Sequence, residues 1–160
     1  MDNLNVEDAK IGVVGAGSWG TAIANLLATK GYGVDRVAEL LIELDFADFM
    51  VEIGGEVRTS GANRRGIPWR IGIETPVMGS TAAISALARV GLSGRAVATS
   101  GDYRNYFHDE SGRLRSHIID PRTGYPLQNG VVSASVVAGN CTLADGLATA
   151  LMVMGPQKGL

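Results

Sequence analysis

The chain has one cysteine in 160 residues, Cys141, which excludes an internal disulfide framework and offers no zinc-ligand spacing. A lone thiol of this kind reads as a small buried residue at the start of a helix. Long apolar runs are missing too: none approaches the ~18 residues that a membrane span requires. The first residues, Met1-Asp2-Asn3-Leu4-Asn5, form neither a basic n-region nor an apolar h-region, so a cytoplasmic location is expected. No single sign of charge dominates. The net charge of −2, with acids and bases interspersed, excludes the basic footprint of a nucleic-acid binder. Glycine, by contrast, is abundant: 22 residues, about twice the usual ~7% and without a period, which points to tight turns and close backbone approach. The apolar fraction of 46% and charged fraction of 19% are those of a globular protein. The length suits one domain spanning residues 1–160, able to bury about two thirds of its unfolded surface.

The motifs divide near Lys30-Gly31-Tyr32. Before that point, Lys10-Ile11-Gly12-Val13-Val14 reads as a buried strand entering the turn Gly15-Ala16-Gly17-Ser18-Trp19-Gly20. Ser18 is placed to cap a helix carrying Ile23, Leu26 and Leu27 at helical spacing. A glycine turn between strand and helix turns its amides toward a pyrophosphate, so Gly15, Gly17 and Gly20 are candidate dinucleotide-binding residues. A working unit of this kind returns to a second strand and places an acid about 20 residues beyond the glycines. Here that place is held by an amphipathic helix with Val34, Val37, Leu40, Leu41 and Leu44 on its apolar face and Glu39 and Glu43 outside.

Beyond it, residues 49–58, 68–74, 95–100, 114–119 and 131–138 read as strands between Gly, Asn, Asp and Pro turns. Residues 82–90 satisfy both periods. A final helix follows Cys141, with Thr142 to Asp145 as its cap signal and Gly155-Pro156 as its stop. Strands in the middle with helices at both ends give an α+β class.

Within this frame, Asp145 and Thr149 stand four apart on the last helix, so a carboxylate and a hydroxyl project from one face. Hard oxygen donors suit Mg²⁺, which is usually held by one or two protein groups together with substrate phosphates. The competing reading has Asp145 completing a capping box with Thr142 while Thr149 merely packs. His117, beside Ile118 and ahead of Asp120-Pro121-Arg122-Thr123-Gly124, is either structural or a base. His108 reads as part of a solvated hairpin tip, and Asp120 and Thr123 fit a turn as well as a site, the turn ranking first. Gly54-Gly55 allows close backbone approach, and Ser100-Gly101-Asp102-Tyr103 shapes a pocket.

Two resemblances follow. The string Gly15-Ala16-Gly17-Ser18-Trp19-Gly20-Thr21-Ala22 is similar to the start of NAD(P)-dependent glycerol-3-phosphate dehydrogenases, over about residues 8–32. From Lys30 onward the chain resembles the FAD:protein FMN transferase (ApbE) family. The likeness rests on Lys30-Gly31-Tyr32-Gly33-Val34-Asp35-Arg36-Val37, Glu52–Glu56, Ala98–Tyr103, His117–Gly124 and Ala144–Ala150. This resemblance implies a T-fold-type, mostly antiparallel sheet with packed helices, here preceded by a Rossmann-like βα unit over residues 1–32. It implies transfer of FMN from FAD to a threonine or serine of an acceptor protein, with Mg²⁺ on Asp145 and Thr149. Lys30, His117 and Ile118 would lie at the flavin, and His117 would be the base for the acceptor hydroxyl. One departure stands out: the family's acid before Lys-Gly-Tyr is replaced by Ala24.

The resulting expectation is a chimera of the two families, with FAD as substrate, an acceptor protein as partner, no bound NAD(P), and oligomerisation left open. The family's N-terminal half has no counterpart here, so full turnover is not expected. Members of the family are often exported. A non-catalytic recombined or designed scaffold is the alternative from a different class, and a remnant nicotinamide-binding oxidoreductase unit is the third.

Overall fold

The computed structural model describes residues 33–76, 86–103 and 106–159. The Rossmann-like βα unit, with Gly15, Gly17 and Gly20, and Lys30 lie outside the described residues. Helix α1 spans Val34–Glu43. Two hairpin strands follow, β1 (Phe49–Ile53) and β2 (Glu56–Ser60), then β3 (Trp69–Glu74), β4 (Ala86–Leu92) and β5 (Ala96–Gly101). Short strands β6 (Tyr106–His108) and β7 (Leu114–Ser116) precede β8 (Ser133–Ala138), helix α2 (Cys141–Met154) and the single turn α3 (Pro156–Gly159).

The main sheet has four strands in the order β1-β2-β5-β8, every neighbouring pair antiparallel. Alternation along its strands sorts side chains to two faces. Ile53, Ala96 and Ala98 meet α1 and α2, packing with Val34, Cys141 and Ala144. On the opposite face, Val57 and Val97 pack with Leu92 and, less buried, Ile71 and Val90 of the β3–β4 hairpin. Only small residues, Cys141, Ala144 and Ala148, occupy the buried stripe over most of α2 before Met152 completes it. Helix and sheet backbones can therefore approach closely.

An α+β architecture with antiparallel sheets is what the pattern predicts, yet several expected elements differ in extent. The expected strand 49–58 is two strands. Gly54 and Gly55, at φ 69° and 109°, form a two-residue hairpin turn between Ile53 and Glu56. Positive φ at both central positions is costly for any residue with a Cβ and matches the twist of an antiparallel pair. These glycines thus make the hairpin turn that the run 49–58 conceals. The expected strand 114–119 stops at Ser116, where Ser116 Oγ accepts the Ile118 N–H at 3.1 Å and bends the chain out of the ladder. Of the stretch legible at both periods, residues 86–90 are strand. On α1, Val34 and Ala38 are buried, whereas Leu40 and Leu44, expected on the packed face, are exposed.

Candidate functional site

Helix α2 carries the expected donors, and its N-terminus is satisfied in a way that frees one of them. Asn140, not Thr142, is the N-cap: its side chain accepts the Leu143 N–H at 2.8 Å. The Cys141 and Thr142 N–H groups and the Thr142 hydroxyl all donate to the carboxylate of Asp35, on the first turn of α1, at 2.8, 2.9 and 2.7 Å. The expected Thr142–Asp145 capping box is therefore not formed, because Thr142 is turned to Asp35 instead. Asp145, one position beyond the buried Ala144, remains exposed. One turn further on, the Thr149 hydroxyl meets the Ser100 hydroxyl of β5 at 2.9 Å. The helix thus presents a carboxylate and a hydroxyl in line, the second held from the sheet.

Acids surround this end of the helix. Burial pushes Glu56, on β2, above the ordinary carboxylate pKa, and the charges of Asp145 and Glu52 push it further. Burial acts the same way on Asp35, but the Cys141 and Thr142 amides, the Thr142 hydroxyl and Arg58 outweigh it and hold its pKa below the usual value. Arg58 Nη1 lies 3.7 Å from Asp35 Oδ1 and donates to the Gly139 carbonyl. Cys141, the first residue of α2, is buried, and burial together with Asp35 and Glu56 raises its thiol pKa to about 12. It is an inert packing residue, as the sequence suggests.

His117 and Ile118 stand on a different element, directly after β7. His117 is exposed and directly follows the buried Ser116, which lines a groove of about 310 Å³. Asp102, Arg115 and Ser116 line one part of the groove and Gln128, Asn129 and Val132 another. Arg115 is held by Asp109 at 2.7 Å. Asn129 ties this wall to the helix: its Nδ2 donates to the Met152 carbonyl at 2.7 Å, while its Oδ1 accepts the Val131 N–H. His108 is exposed at the end of β6, next to the hairpin loop organised by Asp109. Asp120 and Thr123 sit in a turn in which the Thr123 and Gly124 N–H groups donate to the Asp120 carbonyl. Two hydrogen bonds and the charge of Arg122 hold the Asp120 pKa down to about 2.

The structure therefore presents Asp145 and Thr149 from one helix, carries His117 and Ile118 on the segment directly after the groove-lining Ser116, and joins groove wall to helix through Asn129. Sequence reasoning missed Asp35, Arg58, Glu56 and Asn140. Only Asn140 had a local signal, as an N-cap residue type directly before the apolar stretch. Could the donors hold Mg²⁺? A carboxylate and a hydroxyl are hard oxygen ligands, and Asp145 is not used by the cap. Among the described residues no group of three His, Cys, Asp or Glu side chains gathers for a metal, so the candidate set is the Asp145–Thr149 pair. That set fits an ion which draws further ligands from substrate phosphates.

Residues 27–160 match the ApbE family. The chain is similar to the FAD:protein FMN transferase of Vibrio cholerae, 51% identical over 131 residues, which are 82% of this chain and 38% of that protein. It is 48% identical to the FAD:protein FMN transferase of Haemophilus influenzae, over 82% of this chain and 37% of the relative. Among solved structures, the apo form of the Pseudomonas stutzeri flavinyl transferase ApbE superposes with a TM-score of 0.65 at 45% identity, over 81% of this chain and 38% of that one. The ApbE protein of Thermotoga maritima gives 0.67 at 40% identity, over 78% and 38%. The chain spans less than two fifths of the length of these relatives. No helix among the described residues is long and apolar enough to cross a membrane.

Proposed function

This chain belongs to the ApbE family, and we propose that it acts in Mg²⁺-dependent transfer of FMN from FAD to a threonine or serine of an acceptor protein. The observation that carries this reading is the alignment on α2 of exposed Asp145 with Thr149, whose hydroxyl is held at 2.9 Å by Ser100. These oxygens would hold Mg²⁺ against the FAD diphosphate. When bound, the ion supplies positive charge to the phosphates and to the departing AMP.

The residues divide the remaining work. Asp145 and Thr149 fix where the diphosphate sits, so that its phosphorus is presented to an incoming hydroxyl. His117, next in the chain to the groove-lining Ser116, takes the proton from the acceptor hydroxyl as its oxygen attacks the FMN phosphorus and the bond to AMP breaks. The proton is then on the imidazole, the new bond is a phosphoester to the acceptor, and AMP leaves with the bonding electron pair. Ile118 and Lys30 complete the proposed flavin contacts. The N-terminal glycine turn plays no part in this scheme.

The test is a titration of the full chain with FAD and with NADH, each with and without Mg²⁺, read by flavin or nicotinamide fluorescence. Mg²⁺-dependent FAD binding that is lost in Asp145→Ala supports the assignment. Binding unchanged in Asp145→Ala refutes the metal role, and binding of neither nucleotide favours a non-catalytic scaffold. An acceptor bearing a D-x-x-[ST]-G-[AS]-[ST] sequence then reports turnover as covalently attached flavin fluorescence.

A further inference from the structure

Three parts of the chain meet at the Asp35 carboxylate. Its own helix, α1, packs on β1 and β2 and fixes where the carboxylate stands. Arg58 reaches it from β2. The first turn of α2, more than a hundred residues away, donates three hydrogen bonds to its two oxygens: Cys141 N–H to Oδ1, and Thr142 N–H and Oγ1 to Oδ2. Arg58 also donates to the Gly139 carbonyl, so one guanidinium holds both the carboxylate and the approach to the helix. A cap within a helix's own sequence stabilises the helix but says nothing of where it sits. A cap supplied by another helix fixes position as well.

That distinction matters because of how α2 packs. Its first three buried positions are Cys141, Ala144 and Ala148. Such small residues present low ridges to the sheet, and low ridges resist sliding along the helix axis poorly. Polar anchors at the two ends supply what the ridges do not. Asn129 holds the Met152 carbonyl near the C-terminus, and Asp35 holds the N-terminus. Asp145 lies one turn from the Asp35 anchor, and the 2.9 Å contact between Thr149 and Ser100 depends on the same seating.

We propose that Asp35 is a positioning residue for the Asp145–Thr149 pair. Held by Arg58, its carboxylate sets the seating of α2 on the sheet and hence where the two metal-binding oxygens stand. The inference rests on the functional reading above. Groups that orient metal ligands without touching the metal change metal affinity on the order of 10- to 100-fold when removed.

The test uses the full chain with FAD at a fixed saturating concentration and Mn²⁺ as a paramagnetic probe, read by amide NMR. In the wild type, the Asp145, Gly146 and Thr149 amides are expected to broaden at the lowest Mn²⁺ concentrations. Asp35→Asn removes the charge and one carboxylate acceptor while keeping the size. It is expected to shift the broadening to about tenfold higher Mn²⁺, with the amides of the β3–β4 hairpin, on the far face of the sheet, unmoved. Thr142→Val deletes only the hydroxyl contact, is expected to give a smaller shift in the same direction, and carries the comparison alone if Asp35→Asn does not fold. If either folded variant melts earlier yet binds Mn²⁺ as the wild type does, Asp35 is a cap and nothing more, and the proposal is overturned. If the wild-type α2 amides do not broaden at all, the metal reading of Asp145 and Thr149 falls first, and the positioning role falls with it.

Discussion

Ser100 and Thr149 hold each other by their hydroxyls, 2.9 Å apart across the seam between β5 and α2 and 49 residues apart in the chain. Either oxygen can donate. A Thr149 oxygen that gives a lone pair to a cation keeps its proton for Ser100, so the contact orients the ligand without competing with it. Thr149→Val, which keeps shape and removes the oxygen, is expected to abolish Mg²⁺-dependent FAD binding. Ser100→Ala should weaken it by about tenfold, the lower end for an outer partner of a ligand. Titration of both variants at several Mg²⁺ concentrations decides the matter: Mg²⁺-dependent binding unchanged in Thr149→Val would mean the two hydroxyls only pack.

Glu56 gives a pH signature. Its folded-state pKa is raised above 4.5 by burial, then by Asp145 and Glu52, so the folded state binds the proton more tightly than the unfolded state. Below pH 4.5 the residue is protonated in both states and carries no penalty. As pH rises through the folded pKa, its charge disfavours folding. Glu56→Gln is therefore expected to raise the urea midpoint at pH 7.5 and to lose that advantage toward pH 4. A constant difference across the range would remove electrostatics as the cause.

The Cys141 thiol should be nearly silent. Its pKa of about 12 against an ordinary 9.0 lowers the reactive thiolate fraction near pH 8 on the order of a thousandfold, before its burial adds a further barrier. Native protein should react with a chromogenic disulfide reagent only at the rate of global opening, and fully in urea. Rapid reaction of the native protein would contradict the packing described at the start of α2.

Gly61 is the position where a methyl group should cost most. At φ 55°, an added Cβ would collide with Asp48 Oδ1 and stand 2.7 Å from the Ala47 carbonyl, and that same Oδ1 accepts the Ala62 N–H at 2.7 Å. Left-handed backbone costs a residue with a Cβ about 1–2 kcal/mol, and losing the Asp48 bond adds about 1 kcal/mol. Gly61→Ala should thus destabilise by roughly 2–3 kcal/mol in urea unfolding. Without change in the midpoint, the loop would have to rearrange around Asp48.

Much of this was legible in the sequence, for reasons that differ by element. Helix α2 is announced by the Gly155-Pro156 stop, and the i, i+4 spacing of Asp145 and Thr149 puts both on one face wherever the helix goes. The alternation of β5 and β8 gives strands directly. The single strand expected over residues 49–58 is two strands, because a β-rich run conceals a turn unless Gly54 and Gly55 are read as positive-φ residues. What stayed hidden is long-range. That Asp35 caps α2, that Arg58 bridges them and that Ser100 faces Thr149 depend on how helices and sheet dock. No local period encodes docking. The capping-box pattern at Thr142 shows the hazard, since a distant carboxylate captured the hydroxyl that a neighbouring signal had claimed.

The β3–β4 hairpin covers the sheet face that α2 does not touch, and Arg70, Leu87 and Arg89 point away from the core there. A linker attached through Arg89→Cys would carry the chain onto a sensor chip with its α2 side turned to the liquid. With Cys141 sealed against the coupling reagent, that linker would have a single point of attachment, and no native thiol need be removed first.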